Sequence, residues 1–315
     1  MVKSRTNEFE SPYDWKNFTA YLNDKNRFVL IPYWKRFISR ILKTAQKRTA
    51  IIKRDTKLLR ARMGTTWVEF EDGDTQPTPL PPEQMGAPSK QLATDGRLNP
   101  FGISYLYLTT DTDTAIAELR PWIGSDVSVG LFKILKDSKV IDTTKDKSNP
   151  LHHLRFVIKD GKFVGIKQRE PHSYTAEEKE SQIWGDISSA FSIPVSPSDI
   201  KSKYLPTQYL SEVLKVAGYD GVIYRSSLNS KGKNIVLFDP STAESVACRM
   251  FDVKGVNYLY NESGNPVQKS SNGKTVFQRV EIIGPADKSK TSVTNLKREK
   301  NAKRNPMEKA NLKNT

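Results

Sequence analysis

The chain has 315 residues, of which 37% are hydrophobic, and a mean hydropathy of −0.58. This length and composition favour one large folded domain with extensions, or two modest domains, over a disordered chain. The single cysteine, Cys248, excludes an internal disulfide and any Cys-x-x-Cys zinc site. Only three histidines are present, and a surface or loop position explains them better than a metal site, so we expect no bound metal.

The net charge of +15 is concentrated at the two ends of the chain. Residues 1–62 hold 16 Lys or Arg and 5 Asp or Glu, and residues 285–315 hold 9 and 3. Residues 63–284 hold 25 basic and 27 acidic residues and are therefore nearly neutral. This distribution argues against a basic nucleic-acid groove through the core, and it leaves open that the ends bind nucleic acid or an acidic partner.

Several functional classes lack their signatures. The first residues contain no apolar secretory signal, and no run approaches the roughly 18 apolar residues of a membrane span. We therefore expect a cytoplasmic protein. A Gly-x-Gly-x-x-Gly motif and a P-loop are both missing from the sequence, so a Rossmann dehydrogenase and a P-loop nucleotidase are unsupported.

The N-terminal segment predicts two helices, over residues 12–22 and from Pro32 to about residue 45. In the second, apolar residues recur every three or four positions. The opposite side is basic and is expected to face solvent; it holds Lys35, Arg36, Arg40, Lys43, Lys47 and Arg48. Two interpretations stay open at this point. The apolar stripe packs on the main domain, or the helix binds a membrane surface or nucleic acid.

The main domain is expected to begin with a strand over residues 58–63. Arg60 and Arg62 alternate there with apolar neighbours, so both can face one side of a sheet. The following residues, 65–94, are rich in proline and acidic residues. This composition is incompatible with a helix or a central strand, and we expect a long ordered loop that acts as a lid over the domain.

The most informative stretch is residues 96–121. It predicts an irregular loop, a strand over residues 103–109 and a helix that begins near residue 115. These elements carry Arg97, Tyr107 and Glu118, which can converge on one cleft. From spacing alone, a surface arginine, a core tyrosine and a solvated glutamate remain the alternative.

The rest of the chain alternates further strands with two helices. The helices are expected at residues 177–191, where Gly185 is a weak point, and at residues 205–217, where Gly218 ends the helix. A polar tail in which apolar residues are scarce should be disordered. The predicted strands cover residues 126–135, 139–142, 152–158, 163–166, 222–226, 235–238, 245–251, 256–260 and 276–283, and the tail covers residues 285–315.

Several motifs together resemble the RES-domain family, named for Arg, Glu and Ser. They are Gly96-Arg97-Leu98-Asn99, Gly102, a strand that carries Tyr107, Thr114-Ala115-Ile116-Ala117-Glu118, and Ser226 after a late strand. Two further segments, MGAP at residues 85–88 and YLPTQYLSEVLK at residues 204–215, are similar to a longer branch of that family. The resemblance covers about residues 58–240.

This resemblance implies an α+β fold. The expected architecture is an ADP-ribosyltransferase-like RES domain with a split, mainly antiparallel sheet and flanking helices, preceded by an N-terminal helical extension. The expected domains are a basic helical extension (1–57), the RES domain (58–240), a β extension packed on that domain (241–284) and a basic disordered tail (285–315).

The resemblance also implies an activity, the consumption of NAD by cleavage of its nicotinamide–ribose bond. The acceptor stays open among water, phosphate and a protein side chain. Small members of this family are bacterial toxins, so a toxin–antitoxin or phage-defence role, an antitoxin or other inhibitory partner, and a homo-oligomer are expectations. The expected catalytic residues are Glu118, Arg97, Tyr107 and Ser226, and the expected NAD-binding residues are Arg97, Tyr107, Arg62, Arg60 and Asn99.

The chemistry of these residues suits a dinucleotide with a cationic leaving ring. Arg97 would bind phosphate or ribose oxygens, and Tyr107 would pack on nicotinamide. Glu118 would stabilise positive charge on the ribose, and Ser226 would orient it rather than act as nucleophile. The alternative from another class is a non-catalytic RES-fold binding module whose basic ends hold nucleic acid or an acidic partner.

Overall fold

This computed structural model describes residues 8–159, 162–193 and 201–257, together with four short strands beyond residue 266. The chain divides into two compact units, Met1–Val256 and Asn257–Thr315. The sequence-based boundaries at residues 57, 240 and 284 remain predictions. In the second unit, two short hairpins pair β13 (Val267–Lys269) with β14 (Thr275–Phe277) and β15 (Arg279–Val280) with β16 (Val293–Thr294).

The described residues of the first unit form five α-helices and twelve strands. The helices are α1 (Asp14–Asp24), α2 (Pro32–Ala45), α3 (Thr112–Leu119), α4 (Ala176–Ser192) and α5 (Leu205–Val216). The strands are β1 (Thr49–Ile52), β2 (Lys57–Met63), β3 (Thr65–Glu69), β4 (Thr75–Pro79), β5 (Leu106–Thr109), β6 (Asp126–Ile134), β7 (Ser138–Asp142), β8 (Leu154–Lys159), β9 (Lys162–Gln168), β10 (Gly221–Arg225), β11 (Lys233–Leu237) and β12 (Ala243–Asp252).

Eight of these strands form one sheet in the order β1-β7-β10-β11-β5-β2-β6-β12. Only the β7–β10 pair is parallel. Between β2 and β5 a single pair of residues is in register, Leu59 with Thr109, whereas β2 and β6 pair over seven residues. The sheet is therefore split between β5 and β2, and the expected α+β fold with a split, mainly antiparallel sheet is confirmed.

The N-terminal helices belong to the main hydrophobic core. Trp34, Phe37 and Ile41 of α2 are buried in one cluster with Trp184 and Phe191 of α4. Of the two interpretations of α2, the structure has the packed one, so its apolar stripe is not available to a membrane. None of the helices in the described part of the chain has the length and hydropathy of a membrane span.

Two basic residues, one in α2 and one just after it, pack against the body rather than standing in solvent, contrary to expectation. Arg40 is 7% exposed, and its Nη1 donates to Glu10 Oε1 at 3.0 Å. Arg48 packs over the Trp184 ring and makes two hydrogen bonds with Asp146. Buried guanidinium groups need such carboxylate partners, which the helical pattern does not reveal.

The proline-rich segment is not the expected loop. β3 and β4 pair from Thr65↔Pro79 to Glu69↔Thr75, so residues 65–79 form a separate hairpin. Prolines are tolerated in such a two-stranded hairpin because no further strand needs their missing N–H groups. The lid expectation remains a prediction, and the segment after the hairpin is docked on the body, since Met85 is fully buried.

The other predicted helices and strands differ from the observed ones mainly at their ends. The strand expected at residues 103–109 begins only at Leu106, because β11 offers it four paired residues, Asn234 to Leu237. The turn at residues 160–161, residues 258–260 and 281–283, and all of the predicted tail except residues 293–294 lie outside the described residues.

Candidate active site

A cavity of about 270 Å³ lies where the sheet is split. Residues from β2, the loop before β5, β5 itself, α3, β10 and β11 line it. Its polar side chains are Arg60, Arg97, Tyr107, Thr109, Glu118, Tyr224 and Asn234. Arg97, Tyr107 and Glu118, which lie on three successive elements of the chain, therefore line the same cavity.

Glu118 is placed by α3, a helix of eight residues. Asp111 caps the helix, accepting a hydrogen bond from the Thr114 backbone N–H at 2.8 Å. Burial raises the pKa of Asp111, but the hydrogen bonds from Thr114 outweigh it and hold the pKa below its usual value. Glu118 stands in the last turn, and Arg120 ends the helix in the left-handed region (φ 50°).

The two oxygens of the Glu118 carboxylate have different surroundings. Oε1 accepts hydrogen bonds from Ser226 Oγ at 2.8 Å and from Asn234 Nδ2 at 2.6 Å. Oε2 lies 3.7 Å from Arg97 Nη2 and has no other hydrogen-bond partner among the described residues. Both donors hold one oxygen, so the other remains free to face a bound molecule.

The Ser226 hydroxyl is itself oriented by the chain that follows it. Its oxygen accepts hydrogen bonds from the backbone N–H groups of Leu228 at 3.1 Å and Asn229 at 3.3 Å. Its proton is thereby directed at Glu118. Asn229 also donates to Thr114 Oγ1 at 2.9 Å, which ties this loop to the first turn of α3. No histidine lines the cavity, so the described residues offer no base for a serine nucleophile.

Arg97 is largely buried, with an 11% exposed side chain. Its Nη1 donates to the Phe191 carbonyl at 3.3 Å, and its guanidinium lies 5.8 Å from the centre of the Tyr224 ring. Burial alone lowers the pKa of Arg97, but the Tyr224 hydroxyl and the Glu118 carboxylate outweigh it and raise that pKa. The arginine therefore stays charged.

The loop that carries Arg97 is shaped by its own glycine and asparagine. A Cβ at Gly96 would overlap Asn99 Oδ1 and lie 2.8 Å from the Tyr107 hydroxyl. Asn99 accepts a hydrogen bond from that hydroxyl at 2.7 Å and donates to the carbonyls of Thr94 and Ile103, both at 2.9 Å. Asn99 is not among the cavity-lining residues, and it fixes the loop rather than contacting the cavity.

Helix α5 holds the same loop from the other side. Thr207 Oγ1 donates to the Arg97 carbonyl at 2.5 Å, and Gln208 Nε2 donates to the Gly96 carbonyl at 2.9 Å. These two residues belong to the YLPTQYL segment, so that motif acts on the arginine loop although it lies more than 100 positions away in sequence.

The two arginines of β2 have different surroundings. Arg60 lines the cavity, its Nη1 donates to the Tyr107 carbonyl at 3.1 Å, and its buried Nε has no acceptor among the described residues. Burial, together with the charge of Arg62, lowers the pKa of Arg60 to about 10. Arg62 donates to the Gly86 carbonyl at 2.8 Å and is not among the lining residues.

Two lining residues were not anticipated, Tyr224 and Asn234. Both are buried, and they face each other in register on β10 and β11. Asn234 is a buried polar residue in the otherwise apolar run NIVL, and a polar group in such a strand needs a partner. That signal was available in the sequence, whereas the identity of the partner depends on the register of the sheet.

The comparisons with known proteins identify the family of this chain. A family model described as the RES domain matches residues 76–253, more than half of the chain. The chain belongs to the RES-domain family. This RES-domain protein is also similar to a chain in a crystal structure of the M. tuberculosis MbcT–MbcA toxin–antitoxin complex, with 10% identity, 68% of this chain and 92% of that chain covered, and a TM-score of 0.33. No curated protein sequence matches it.

Among the described residues, no group of three or more His, Cys, Asp or Glu side chains is arranged to hold a metal ion. The RES-domain match also includes each of the cavity's polar residues except Arg60, which lies upstream of residue 76.

Proposed function

We propose that this RES-domain protein is an NAD-consuming enzyme that breaks the bond between nicotinamide and ribose. The observation that carries the proposal is the Glu118 carboxylate, which has one oxygen held by Ser226 and Asn234 and the other oxygen beside Arg97. A carboxylate fixed in this way is suited to stabilise a positive charge that develops next to it.

Cleavage of the nicotinamide–ribose bond develops such a charge. As the neutral ring departs, the ribose carbon and ring oxygen share a positive charge, as in glycoside hydrolysis. Glu118 would stabilise that charge directly or through a ribose hydroxyl. Because the carboxylate is already oriented by its two donors, little reorganisation is needed during the reaction.

The charges of the cavity favour an anionic substrate. Two guanidinium groups, Arg60 and Arg97, face one carboxylate, Glu118. The pKa of Arg60, about 10, leaves it charged at neutral pH, and its buried Nε has a free donor. Donors of this kind suit the diphosphate of a dinucleotide, since guanidinium groups bind phosphate oxygens in a planar fork.

The aromatic lining suits the nicotinamide end of the molecule. The hydroxyl of Tyr107 is occupied by Asn99 and by the Leu98 backbone N–H, so Tyr107 offers its ring rather than its hydroxyl. An aromatic ring on the cavity wall provides a flat apolar surface for a planar heterocycle. In this proposal Ser226 and Asn234 are positioning residues that act through Glu118.

The wider proposal is a toxin that depletes NAD in a toxin–antitoxin or phage-defence system, restrained by an antitoxin or another inhibitory partner. It rests on membership of the RES-domain family, whose toxins act on NAD. Expression in a bacterial host should then arrest growth and lower cellular NAD, and co-expression of the partner should prevent both effects.

The test is to incubate the purified chain with NAD, with and without inorganic phosphate, and to identify products by mass spectrometry. ADP-ribose would identify hydrolysis, ADP-ribose 1″-phosphate would identify phosphorolysis, and ADP-ribose mass added to a protein would identify transfer. Any of these, with free nicotinamide, supports bond cleavage. Unchanged NAD from the full chain and from a chain ending at Val256 would contradict it.

A further inference from the structure

Two surface elements have no role in the cleft. The first is the β3–β4 hairpin, residues 65–79, which we call the arm. The second is the loop between α1 and α2, residues 25–31, which we call the knob. Both expose large apolar side chains, and they carry opposite charges.

The arm is acidic in a strongly basic chain. Residues 64–89 contain five Asp or Glu residues and no Lys or Arg. Four of the five lie in or next to the turn of the hairpin, at Glu69, Glu71, Asp72 and Asp74. All four are exposed, and none of them forms an ion pair among the described residues.

The arm is also apolar on both of its faces. Trp67 is 66% exposed, and the adjacent Val68, whose side chain points to the opposite face, is 42% exposed. Phe70, on the same face as Val68, is 46% exposed. The end of the hairpin near its turn thus exposes apolar side chains on both faces, and a cluster of exposed aromatic residues marks an interaction surface.

The knob presents apolar residues among cations. Phe28 is 92% exposed and Val29 is 71% exposed, and Lys25 and Arg27 stand next to them, also exposed. The loop is held in place, because Leu30 is buried in the core and the Tyr21 hydroxyl donates to the Val29 carbonyl at 2.9 Å. Its apolar tip is therefore displayed by a fixed backbone.

Within residues 8–256, the described residues of one copy cover neither patch. The helices that flank the knob pack with α4 and α5, whereas the arm contacts β6 and β12, on the other side of the split in the sheet. Both patches are exposed in the described part of the first unit. The acidic arm and the basic knob are complementary in charge, and each offers apolar side chains that could cover those of the other.

We propose that the arm of one copy docks on the knob of a second copy. If two copies are related by a two-fold axis, each contributes one arm and one knob, so the same contact is made twice and the assembly closes as a dimer. The carboxylates of the arm would face Lys25 and Arg27, and Trp67 and Phe70 would cover Phe28 and Val29. Charge complementarity sets the pairing, and apolar burial supplies affinity.

The sharpest test uses two charge-reversed variants and sedimentation velocity. Lys25→Glu with Arg27→Glu makes both surfaces acidic. Glu69→Lys, Glu71→Lys and Asp74→Lys together leave the arm with three Lys and one Asp, so both surfaces are then basic. Each variant alone should be monomeric, because its arm and knob repel. An equimolar mixture should form a heterodimer, because both of its contacts are again complementary. The wild-type dimer should dissociate as ionic strength rises.

The control is Lys43→Glu with Lys57→Glu. It changes the net charge by the same amount as the Lys25 and Arg27 reversal, but at two exposed residues outside both surfaces. It should dimerise like the wild type. Phe28→Ser and Trp67→Ser should each weaken the dimer at least about tenfold. At high ionic strength, where the wild type is also monomeric, their melting temperatures should equal that of the wild type, because both side chains are exposed in the monomer.

Three results would overturn the proposal. They are a wild-type chain that is monomeric at low ionic strength, charge-reversed variants that dimerise like the control, and a mixture of the two variants that stays monomeric. A monomer that binds anionic phosphatidylserine vesicles through Phe28 would instead make the knob a membrane contact.

Discussion

At the scale of single residues, the asymmetry of the Glu118 carboxylate is the feature with the clearest consequences. Both donors, Ser226 and Asn234, meet Oε1. Each should contribute by orienting the carboxylate rather than by binding substrate. A hydrogen bond to a charged group contributes about 1.5–3 kcal/mol, which corresponds to roughly a tenfold to hundredfold effect on rate.

We therefore expect Asn234→Leu, which removes the donor at similar volume, to lower kcat about tenfold to hundredfold with little change in KM. Ser226→Ala should do the same and also lower the melting temperature, because the N–H groups of Leu228 and Asn229 lose their acceptor. Steady-state kinetics of NAD loss measure kcat and KM separately. A raised KM with normal kcat would show that these side chains bind substrate instead.

Arg60 and Arg62 are neighbours on β2 with different predicted effects. Arg60→Ala should raise KM for NAD about tenfold or more, since a cavity cation is lost. Arg62→Ala should leave KM unchanged and lower the free energy of unfolding by about 1–2 kcal/mol, since the hydrogen bond to Gly86 is lost. Each variant is the control for the other. A raised KM for Arg62→Ala with an unchanged KM for Arg60→Ala would show that Arg62, not Arg60, binds NAD.

At the scale of elements, α4 shows why a residue that looks unfavourable is present. Gly185 costs a helix about 1 kcal/mol relative to alanine. A Cβ at this position would lie 2.5 Å from the Lys147 carbonyl oxygen, so the glycine allows the backbone at residues 147–148 to approach the helix. The helix also begins with a capping box formed by Thr175 and Glu178.

Gly185→Ala should therefore destabilise the protein, although alanine is the better helix former. We expect the free energy of unfolding to fall by about 1–3 kcal/mol, the usual effect of overpacking against an element that cannot yield. Urea unfolding measures it. The matched control is Gly86→Ala, where the added methyl group meets open space and no change is expected. Equal stability of both variants would contradict the close approach.

The elements also show what the sequence allows one to predict. α2, α4 and α5 follow from their apolar periodicity to within about two residues, because their buried faces are long. The β3–β4 hairpin was missed because Pro77 and Pro79 oppose a strand assignment, and only the absence of a third strand removes that objection.

At the scale of the whole molecule, the split sheet brings distant residues into one cavity. Arg97, Tyr107, Glu118 and Ser226 were predictable as a group from their motifs, and the structure places them together. Asn234 and Tyr224 were not, because their position depends on the register of β10 with β11. Arg40 was wrongly expected to face solvent for a similar reason, since its buried position depends on its partner Glu10, which lies in another segment.

The division of the chain at Val256 leads to a further prediction. Because residues 1–256 form a compact unit that contains the whole cavity, a chain ending at Val256 should unfold cooperatively and keep its NAD turnover. Its melting temperature, measured by circular dichroism, should lie within a few degrees of that of the full chain. Loss of cooperative unfolding would show that the second unit is needed for folding.

The most direct test of the account is the NAD turnover of Glu118→Gln beside the wild type. The amide is isosteric and its oxygen still accepts from Ser226 and Asn234, so the melting temperature should be nearly unchanged. The negative charge is lost, and we expect kcat to fall at least about 100-fold. Glu212→Gln, an exposed carboxylate on α5, should behave as the wild type. Turnover by Glu118→Gln within a fewfold of the wild type would contradict the proposed mechanism.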